Sequence, residues 1–224
     1  MAMGPWTISG CCTEPFRVMI KSVIFDFGNV IVPWNPRRLY DKYFGDKEKS
    51  DWFVRTVCPM EWHSQVDRGV PVAEAVAQRT ALFPEWKREI ELYFEQWEQM
   101  FAPETEGISA YITRLKDRGF KVYGLTNWSA ELFPRTENDY PAFNLLDGMV
   151  ISGAEKLLKP EKEIYLRLLD RYGLQAGECI FIDDNPANVE GARELGIHSV
   201  TYVNLEQTEQ DVERMISESK QENQ

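Results

Sequence analysis

The sequence predicts an α/β protein in which a doubly wound parallel sheet carries a helical insertion. Short apolar runs of strand type recur along the chain, and a helical pattern follows each of them. Strands that are apolar along their whole length are typical of parallel sheets covered by helices on both faces. Residues 36–102 break this alternation, because they contain one helical pattern after another and no strand candidate. We therefore expect an α-helical domain between the first strand and the rest of the sheet.

The elements of the sheet portion follow from hydrophobic periodicity and from proline and glycine positions. The predicted strands are Ser22–Phe25, Lys121–Leu125, Met149–Ile151, Cys179–Ile182 and Ser199–Val203. The predicted helices are Pro103–Arg118, Pro160–Tyr172, Pro186–Leu195 and Gln207–Ser219. Three of these helices begin at a proline, which suits the first helical turn. The sheet domain would then comprise residues 19–35 and 103–224, and the helical domain residues 36–102.

Composition limits the classes of partner and the location. The 224 residues carry a formal charge of −11, which argues against nucleic acid and against an anionic membrane surface. No apolar run approaches the length of a membrane span. Four cysteines in a chain of this size do not form a disulfide framework, so we expect a reduced, cytoplasmic protein. Residues 1–18 are predicted to form a flexible leader. The sequence leaves open whether the protein is a monomer or a homodimer.

Polar side chains stand where the predicted strands end or directly after them. They are Asp26, Thr126, Asn127, Lys159, Asp183 and Asp184. Because ligands of open parallel sheets bind beyond the carboxyl ends of the strands, we expect these side chains to meet at one edge. Each of them is common as a turn or helix-capping residue when it occurs alone. Their joint occurrence at this edge indicates a site.

The residue types suit the hydrolysis of a small phosphorylated metabolite. Asp26 can attack phosphorus and form an aspartyl-phosphate that water later hydrolyses. The neighbouring carboxylates suit Mg²⁺, which commonly shares its ligands with phosphate oxygens. The hydroxyl of Thr126 and the ammonium of Lys159 can stabilise the oxygens of the group in transfer.

Four stretches in this order resemble the motifs of the haloacid dehalogenase-like hydrolase superfamily. They are "VIFDFGNVI", "GLTNWS", "KLLKP" and "IFIDDNPANVEGA". The resemblance implies a Rossmann-like core with a helical cap and a Mg²⁺-dependent phosphatase. "FDxGNVI" together with "WHSQVDRG" is most similar to the branch that contains bacterial α-D-glucose-1-phosphate phosphatase.

The resemblance also implies roles for single residues. Asp26 matches the nucleophile and Thr126 the phosphate-binding hydroxyl, and Asn127 beside it is expected to bind phosphate as well. Lys159 matches the lysine that stabilises nucleophile and phosphate. Asp184 aligns with the direct metal ligand and Asp183 with a supporting position, although the two could exchange roles. Asp26 is expected to share in metal binding.

Gly28 departs from the pattern of phosphatases in this superfamily, which usually carry a second aspartate there as general acid. The backbone carbonyl of Gly28 could still ligate Mg²⁺. The missing acid typically contributes about 10²–10⁴-fold to the rate. The enzyme is therefore expected to be slow, to take an acid from the helical domain, or to prefer a leaving group that departs without help. An anomeric phosphate meets the last condition, so a sugar 1-phosphate is the predicted substrate.

Two other functions stay open at this point. A metal-independent 2-haloacid dehalogenase needs no general acid, but it would not need the acidic pair Asp183 and Asp184. A catalytically silent module that binds a phosphometabolite or a protein would explain Gly28, but not the retention of Asp26 and Lys159.

Side chains near or within the helical domain are expected to set specificity by closing over the sheet edge. The candidates are Trp34, Trp62, His63, Gln65, Arg68 and Trp128. His63 is one of two histidines and is the candidate for a substitute acid. Packing within the helical domain is the competing explanation for each of them.

Overall fold

Five parallel strands form a single sheet at the centre of the protein. The computed structural model describes residues 19–221, so the predicted leader, residues 1–18, lies outside the described residues. The strands are β1 (Ser22–Phe25), β2 (Lys121–Thr126), β3 (Gly148–Ile151), β4 (Cys179–Asp183) and β5 (His198–Thr201). Their order across the sheet is β3-β2-β1-β4-β5. The predicted parallel sheet is confirmed, and each predicted strand overlaps an observed one.

Eleven α-helices accompany the sheet in residues 19–221. Five lie in the insertion, residues 36–102: α1 (Arg37–Phe44), α2 (Lys47–Thr56), α3 (Met60–Asp67), α4 (Val72–Leu82) and α5 (Lys87–Glu95). The others are α6 (Ile108–Asp117), α7 (Pro141–Leu145), α8 (Ser152–Glu155), α9 (Lys162–Tyr172), α10 (Pro186–Arg193) and α11 (Leu205–Gln221).

The sheet is covered on both faces, because alternate side chains of a strand point to opposite sides. Phe25 of β1 belongs to a buried cluster with Ile112 of α6 and Val212 of α11. Its neighbour Ile24 belongs to a second buried cluster with Leu168 of α9 and Phe181 of β4. The doubly wound α/β fold predicted from the sequence is therefore confirmed.

Two helices begin later than the prolines indicate. Helix α6 begins at Ile108 and not at Pro103, because Thr105 fastens the preceding segment to the loop after β1. Its backbone N–H donates to Ile31 O (2.8 Å) and its hydroxyl to Val30 O (2.8 Å). Helix α9 begins at Lys162 and not at Pro160, since Glu161 N donates to Leu158 O (2.8 Å) in a turn before it. The proline of α10 does stand in the first turn.

The chain enters and leaves the helical insertion through two adjacent segments. Trp34 and Phe101 form an isolated antiparallel bridge. Ala102 N donates to Pro33 O (2.9 Å) and Asn35 N to Met100 O (2.9 Å). The insertion is thereby joined to the sheet at one paired crossing.

Aromatic side chains form the interior of the insertion. The ring of Tyr40 lies 4.6 Å from that of Phe53 and 6.2 Å from that of Tyr93, which in turn contacts Trp62 at 5.2 Å. Burying such rings stabilises the helices strongly, because each removes a large apolar area from water. None of the helices within residues 19–221 is both long enough and apolar enough to cross a membrane.

Candidate active site

The carboxyl ends of the strands open into a cavity that the insertion covers from the other side. Its volume is about 210 Å³. The core contributes Asp26, Gly28, Asn29, Asn127, Trp128, Lys159, Asp184, Asn185 and Asn188 to the lining. The insertion and its connecting segments contribute Trp34, Met60, His63, Ser64, Asp67, Trp97 and Phe101. A polar wall thus faces a largely aromatic one.

Lys159 is the central charge of the polar wall. Its ammonium donates to Asp26 Oδ1 (2.8 Å), to Asp183 Oδ2 (2.6 Å) and to the carbonyl of Leu125 (2.9 Å). The side chain is 1% exposed. Burial alone would lower the pKa of Lys159, but the carboxylates of Asp183 and Asp26 outweigh burial and raise it. Lys159 therefore stays a cation and uses all three of its N–H donors on the protein itself.

Asp26 presents one carboxylate oxygen to the cavity. Its Oδ1 accepts hydrogen bonds from Phe27 N (2.6 Å) and Lys159 Nζ (2.8 Å). Within the described part of the chain, no donor bonds its Oδ2. Burial raises the pKa of Asp26 to about 7, with Lys159 opposing the rise and the charge of Asp183 adding to it. Oδ2 is the oxygen available as a nucleophile or as a metal ligand.

The adjacent acids Asp183 and Asp184 have different surroundings. Asp183 is fully buried, and its Oδ1 accepts from Asn185 N (2.8 Å) and Asn188 Nδ2 (3.0 Å). Its Oδ2 is bonded to Lys159 (2.6 Å). Asp184 lines the cavity, and burial followed by the charge of Asp183 raises its pKa. This geometry favours Asp184 as the residue that faces a bound ion, with Asp183 orienting Lys159 and Asn188.

A group of oxygen donors at this edge fits a divalent cation. One carboxylate oxygen each of Asp26, Asp183 and Asp184 lies within 4.8 Å of the others. The side-chain amide oxygen Oδ1 of Asn188 is buried and has no hydrogen-bond partner in residues 19–221. Hard oxygen ligands of this kind suit Mg²⁺ better than a transition metal.

The end of β2 holds Lys159 in place. Asn127 Oδ1 accepts from Lys159 N (2.9 Å), and Asn127 Nδ2 donates to Lys159 O (3.1 Å). This amide, predicted to bind phosphate, is engaged with the lysine backbone. Thr126 is 1% exposed at the end of β2 and is not among the residues that line the cavity.

The loop after β1 leaves room beside the nucleophile. Asn29 has a positive φ of 59°, and its side chain accepts from Trp34 N (3.0 Å) and bonds Asp184. Gly28 lines the cavity, and a Cβ added to it would have no heavy atom within 4 Å among the described residues other than Gly28 and its two chain neighbours. The space for a side chain at position 28 is therefore present.

The structure brings only some of the predicted specificity residues to the cavity. Trp34, His63 and Trp128 line it. Trp62 instead packs inside the insertion and donates to Ala75 O (3.0 Å), and Gln65 is exposed. The prediction that Arg68 faces the substrate is not met in this structure, because its guanidinium forms an exposed ion pair with Glu161.

Several lining residues escaped the sequence argument. Asp67 stands four residues after His63 on α3, and its Oδ2 lies 3.2 Å from His63 Nε2. Trp97 and Phe101 are also four residues apart, with ring centroids 5.2 Å apart. On helix α3, residues separated by four lie on one face, so the spacing of His63 and Asp67 was an available signal. Phe101 is extended and follows the short 3₁₀ helix Trp97–Met100, so helical spacing gives no such signal for the second pair.

Comparisons with known proteins agree with the fold. The family model described as haloacid dehalogenase-like hydrolase matches residues 20–196. The chain therefore belongs to the haloacid dehalogenase-like hydrolases.

Three relatives illustrate the range of the family. Sesquiterpene phosphatase astK of Aspergillus oryzae is 29% identical over 178 residues, which cover 79% of this chain and 87% of that protein. Flavin mononucleotide hydrolase 1 of Arabidopsis thaliana is 37% identical over 107 residues, 48% of this chain and 43% of that protein. A haloacid dehalogenase family enzyme of Bacteroides thetaiotaomicron has a similar structure, with a TM-score of 0.67 and 20% identity over 83% of this chain and 95% of the other. Another structure of that enzyme contains magnesium and inorganic phosphate.

Replacing Asp26 by asparagine is expected to stabilise the metal-free protein at alkaline pH. The pKa of Asp26 is raised from 3.8 to about 7, so the folded protein retains a proton that the unfolded chain releases in this window. Stability accordingly falls as the pH rises from about 4 to about 7. In EDTA at pH 8, Asp26→Asn should raise Tm by about 2–4 °C, and near pH 4 the two proteins should unfold together. A lower Tm for the variant at pH 8 would contradict this account.

Replacing Lys159 is expected to have the opposite effect. Lys159→Met leaves Asp26 and Asp183 buried without their cation, which should cost about 3–5 kcal/mol of unfolding free energy near neutral pH. Urea unfolding at pH 7.5 measures the loss. Exposed Lys121→Met, whose ion pair with Asp147 is at the surface, is the control and should lose less than about 1 kcal/mol. Equal losses in both variants would contradict a special role for Lys159.

Proposed function

We propose that the protein is a Mg²⁺-dependent phosphatase that hydrolyses a small phosphorylated metabolite through an aspartyl-phosphate on Asp26. The observation that carries the proposal is the state of Asp26 Oδ2. This oxygen faces the cavity without a donor from the described residues, while Lys159 holds Oδ1 of the same carboxylate at 2.8 Å. A buried carboxylate that is oriented by one oxygen and open at the other suits nucleophilic attack.

The reaction would proceed in two displacements. Asp26 Oδ2 attacks phosphorus, the bond from phosphorus to the leaving oxygen breaks, and its electron pair goes to that oxygen, which takes up a proton. Water then attacks phosphorus, loses a proton, and the bond to Oδ2 breaks, so that inorganic phosphate and the Asp26 carboxylate are released. The charge of Lys159 would stabilise the aspartyl group through both steps. Thr126, at the end of β2, is the proposed hydroxyl donor to the phosphoryl oxygens, and Asn127 would act by holding Lys159.

Mg²⁺ would be held by Asp26 and Asp184, with the Gly28 carbonyl as a further ligand and Asp183 in support. When bound, the ion would neutralise phosphate charge and so allow one anion to approach another. The distances among the three carboxylates support this set of ligands. The magnesium and phosphate reported for the Bacteroides enzyme add support from a protein of the same fold.

The names of the relatives favour phosphate esters as the substrate class. The Aspergillus oryzae relative is named a sesquiterpene phosphatase and the Arabidopsis thaliana relative a flavin mononucleotide hydrolase. Both names describe the removal of a phosphate from an organic alcohol. The carboxylate cluster argues against a metal-independent 2-haloacid dehalogenase, which would have no use for it.

A sugar 1-phosphate is the substrate that the leaving-group argument supports best. Gly28 removes the usual carboxylic acid beside the nucleophile, and an anomeric hydroxyl, which leaves more readily than a primary alcohol, depends less on any group that replaces this acid. Among the described residues, Lys159 is the single Lys or Arg side chain that lines the cavity, which favours an uncharged leaving group. The indole N–H groups of Trp34, Trp97 and Trp128 are buried and have no acceptor in the part of the chain that the structure describes, and sugar hydroxyls could accept from them.

Residues 36–102 would act as the cap domain over a core of residues 19–35 and 103–224. The paired crossing at Trp34 and Phe101 is the proposed hinge. Arg135 of the core donates to Glu98 (2.6 Å) and to Phe94 O (2.7 Å), contacts that would hold the cap against the core. Closure would exclude water from the phosphoryl group. We also propose a cytoplasmic location, from the cysteine usage described above.

Phosphate release from a small panel tests the proposal. The panel is p-nitrophenyl phosphate, glucose 1-phosphate, glucose 6-phosphate and FMN, each with Mg²⁺ and with EDTA. We expect phosphate release in the presence of Mg²⁺ but not of EDTA, and a higher rate with glucose 1-phosphate than with glucose 6-phosphate. Asp26→Asn should lower the rate by at least about 10⁴-fold. No release from any substrate by a folded, Mg²⁺-binding protein would favour a silent binding module. A preference for glucose 6-phosphate over glucose 1-phosphate would refute the assignment of a sugar 1-phosphate as substrate.

A carboxyl group at position 28 is expected to accelerate the release of poor leaving groups. The open space at Gly28 admits an aspartate, which could protonate the departing oxygen. Gly28→Asp should therefore raise kcat/KM for glucose 6-phosphate by about tenfold or more, toward the lower end of general-acid effects of about 10²-fold. Gly28→Asn is the matched control, since it has the same size and cannot donate a carboxylic proton. Equal rates in the two variants would show that an acid at this position is without effect.

A further inference from the structure

Five ionisable side chains line the cavity in the described part of the chain. Three belong to the acidic edge: Asp26, Lys159 and Asp184. The other two, His63 and Asp67, face them from helix α3 of the insertion. Neither His63 nor Asp67 has a role in the two displacements proposed above.

The edge residues cannot supply a proton to the leaving oxygen. Asp26 would be the nucleophile, and Asp184 belongs to the carboxylate group that fits a cation. Lys159 donates its three N–H groups to Asp26, Asp183 and Leu125 O. A departing alcohol oxygen still needs a proton, because an alkoxide is a poor leaving group near neutral pH.

His63 and Asp67 form a buried close pair of opposite potential charge. His63 Nε2 lies 3.2 Å from Asp67 Oδ2, and each side chain is 5% exposed. Burying a carboxylate is costly without such a partner. Nε2 is the ring nitrogen next to the Asp67 carboxylate, and Nδ1, the other one, is buried and has no hydrogen-bond partner among the described residues. An unpaired buried nitrogen carries a free-energy cost that a bound ligand would remove.

Aromatic rings fix the plane of the imidazole. Trp34 stacks on one side, with centroids 5.0 Å apart and planes at 28°. Trp97 also stacks on the ring, at 5.3 Å and 17°. The ring is therefore held in one orientation, as a group that exchanges protons with a substrate requires.

Backbone contacts tie this pair to the acidic edge. The carbonyl of Asp67 accepts from Ser152 Oγ (2.6 Å), and the same Oγ accepts from Trp128 N (2.8 Å). Trp128 follows Asn127, whose amide holds both backbone groups of Lys159. Three links thus connect α3 with the lysine beside the nucleophile.

We propose that His63 is the proton donor to the leaving oxygen and that Asp67 is its positioning residue, an assignment that rests on the phosphatase function proposed above. The doubly protonated ring donates from Nε2 to Asp67 and from Nδ1 to the leaving oxygen. As the bond from phosphorus to that oxygen breaks, the oxygen receives its electron pair and the Nδ1 proton, and the alcohol departs. In the second displacement, neutral Nδ1 takes the proton of the attacking water, which restores the starting state.

The test compares two substrates of similar shape whose leaving groups differ in acidity, phenyl phosphate and p-nitrophenyl phosphate. Values of kcat/KM report the step in which the leaving group departs. His63→Gln should lower kcat/KM for phenyl phosphate by about 10²-fold and that for p-nitrophenyl phosphate by less than about tenfold, because nitrophenolate leaves without a proton. Asp67→Asn should also lower the ratio of kcat/KM for phenyl phosphate to kcat/KM for p-nitrophenyl phosphate, by a smaller factor. His198→Gln changes the exposed second histidine, which does not line the cavity, and should leave both values unchanged.

The outcomes separate this assignment from the functional proposal. Absence of Mg²⁺-dependent release by the parent protein from both substrates overturns the phosphatase function itself. If the parent protein is active and His63→Gln lowers kcat/KM equally for both substrates, or for neither, the ratio of the two values is unchanged. That result overturns the proton-donor role, and an equal loss assigns His63 to binding or structure. If His63→Gln does not fold, as judged by its thermal unfolding curve, Asp67→Asn decides by the same ratio.

Discussion

The buried ammonium of Lys159 is the interaction on which the site depends. It bonds the residue that ends β4 and the residue that follows β1, and it also bonds a carbonyl of β2. These three strands are neighbours in the sheet, so one cation from the loop before α9 ties their carboxyl ends together. Without it, the carboxylates of Asp26 and Asp183 would repel each other in a buried place. The lysine therefore makes a dense acidic edge compatible with folding, and it also orients the open oxygen of Asp26.

The two walls of the cavity come from different parts of the chain and bring different chemistry. The sheet edge brings charges, whose interactions are stronger where water is excluded. The insertion brings aromatic rings and the pair His63 and Asp67, and these rings exclude the water. The hydroxyl of Ser152 donates to the backbone carbonyl of Asp67 and so joins the two walls. Neither group is ionisable, so this hydrogen bond does not depend on the charge states of His63 and Asp67.

Much of the fold and of the acidic edge could be predicted, and the reasons are local. Near-continuous apolar runs such as Ser22–Phe25 mark buried parallel strands, and parallel strands place their carboxyl ends at one edge. That argument expected Asp26, Asp183 and Asp184 at one edge, and one carboxylate oxygen of each lies within 4.8 Å of the others. Helix starts were harder: Pro103 signals a beginning, but the bonds of Thr105 to Ile31 and Val30 keep the next residues out of the helix. The pairing of Arg68 with Glu161 could not be predicted, because the two residues are 93 positions apart in the chain.

The sequence by itself determined the order of strands and helices, the presence of a helical insertion and the set of polar residues at the strand ends. Hydrophobic periodicity and composition reflect interactions between residues close in the chain. In a parallel sheet the carboxyl ends of the strands share one edge, so these local patterns also predict which residues lie there. The tertiary structure decided how the oxygens and nitrogens of that edge are shared: which oxygen of Asp26 is open, that Asn127 holds Lys159, and that Asp67 joins His63. Such pairings depend on distances and burial set by packing across the whole molecule, and a linear pattern of residue types contains neither.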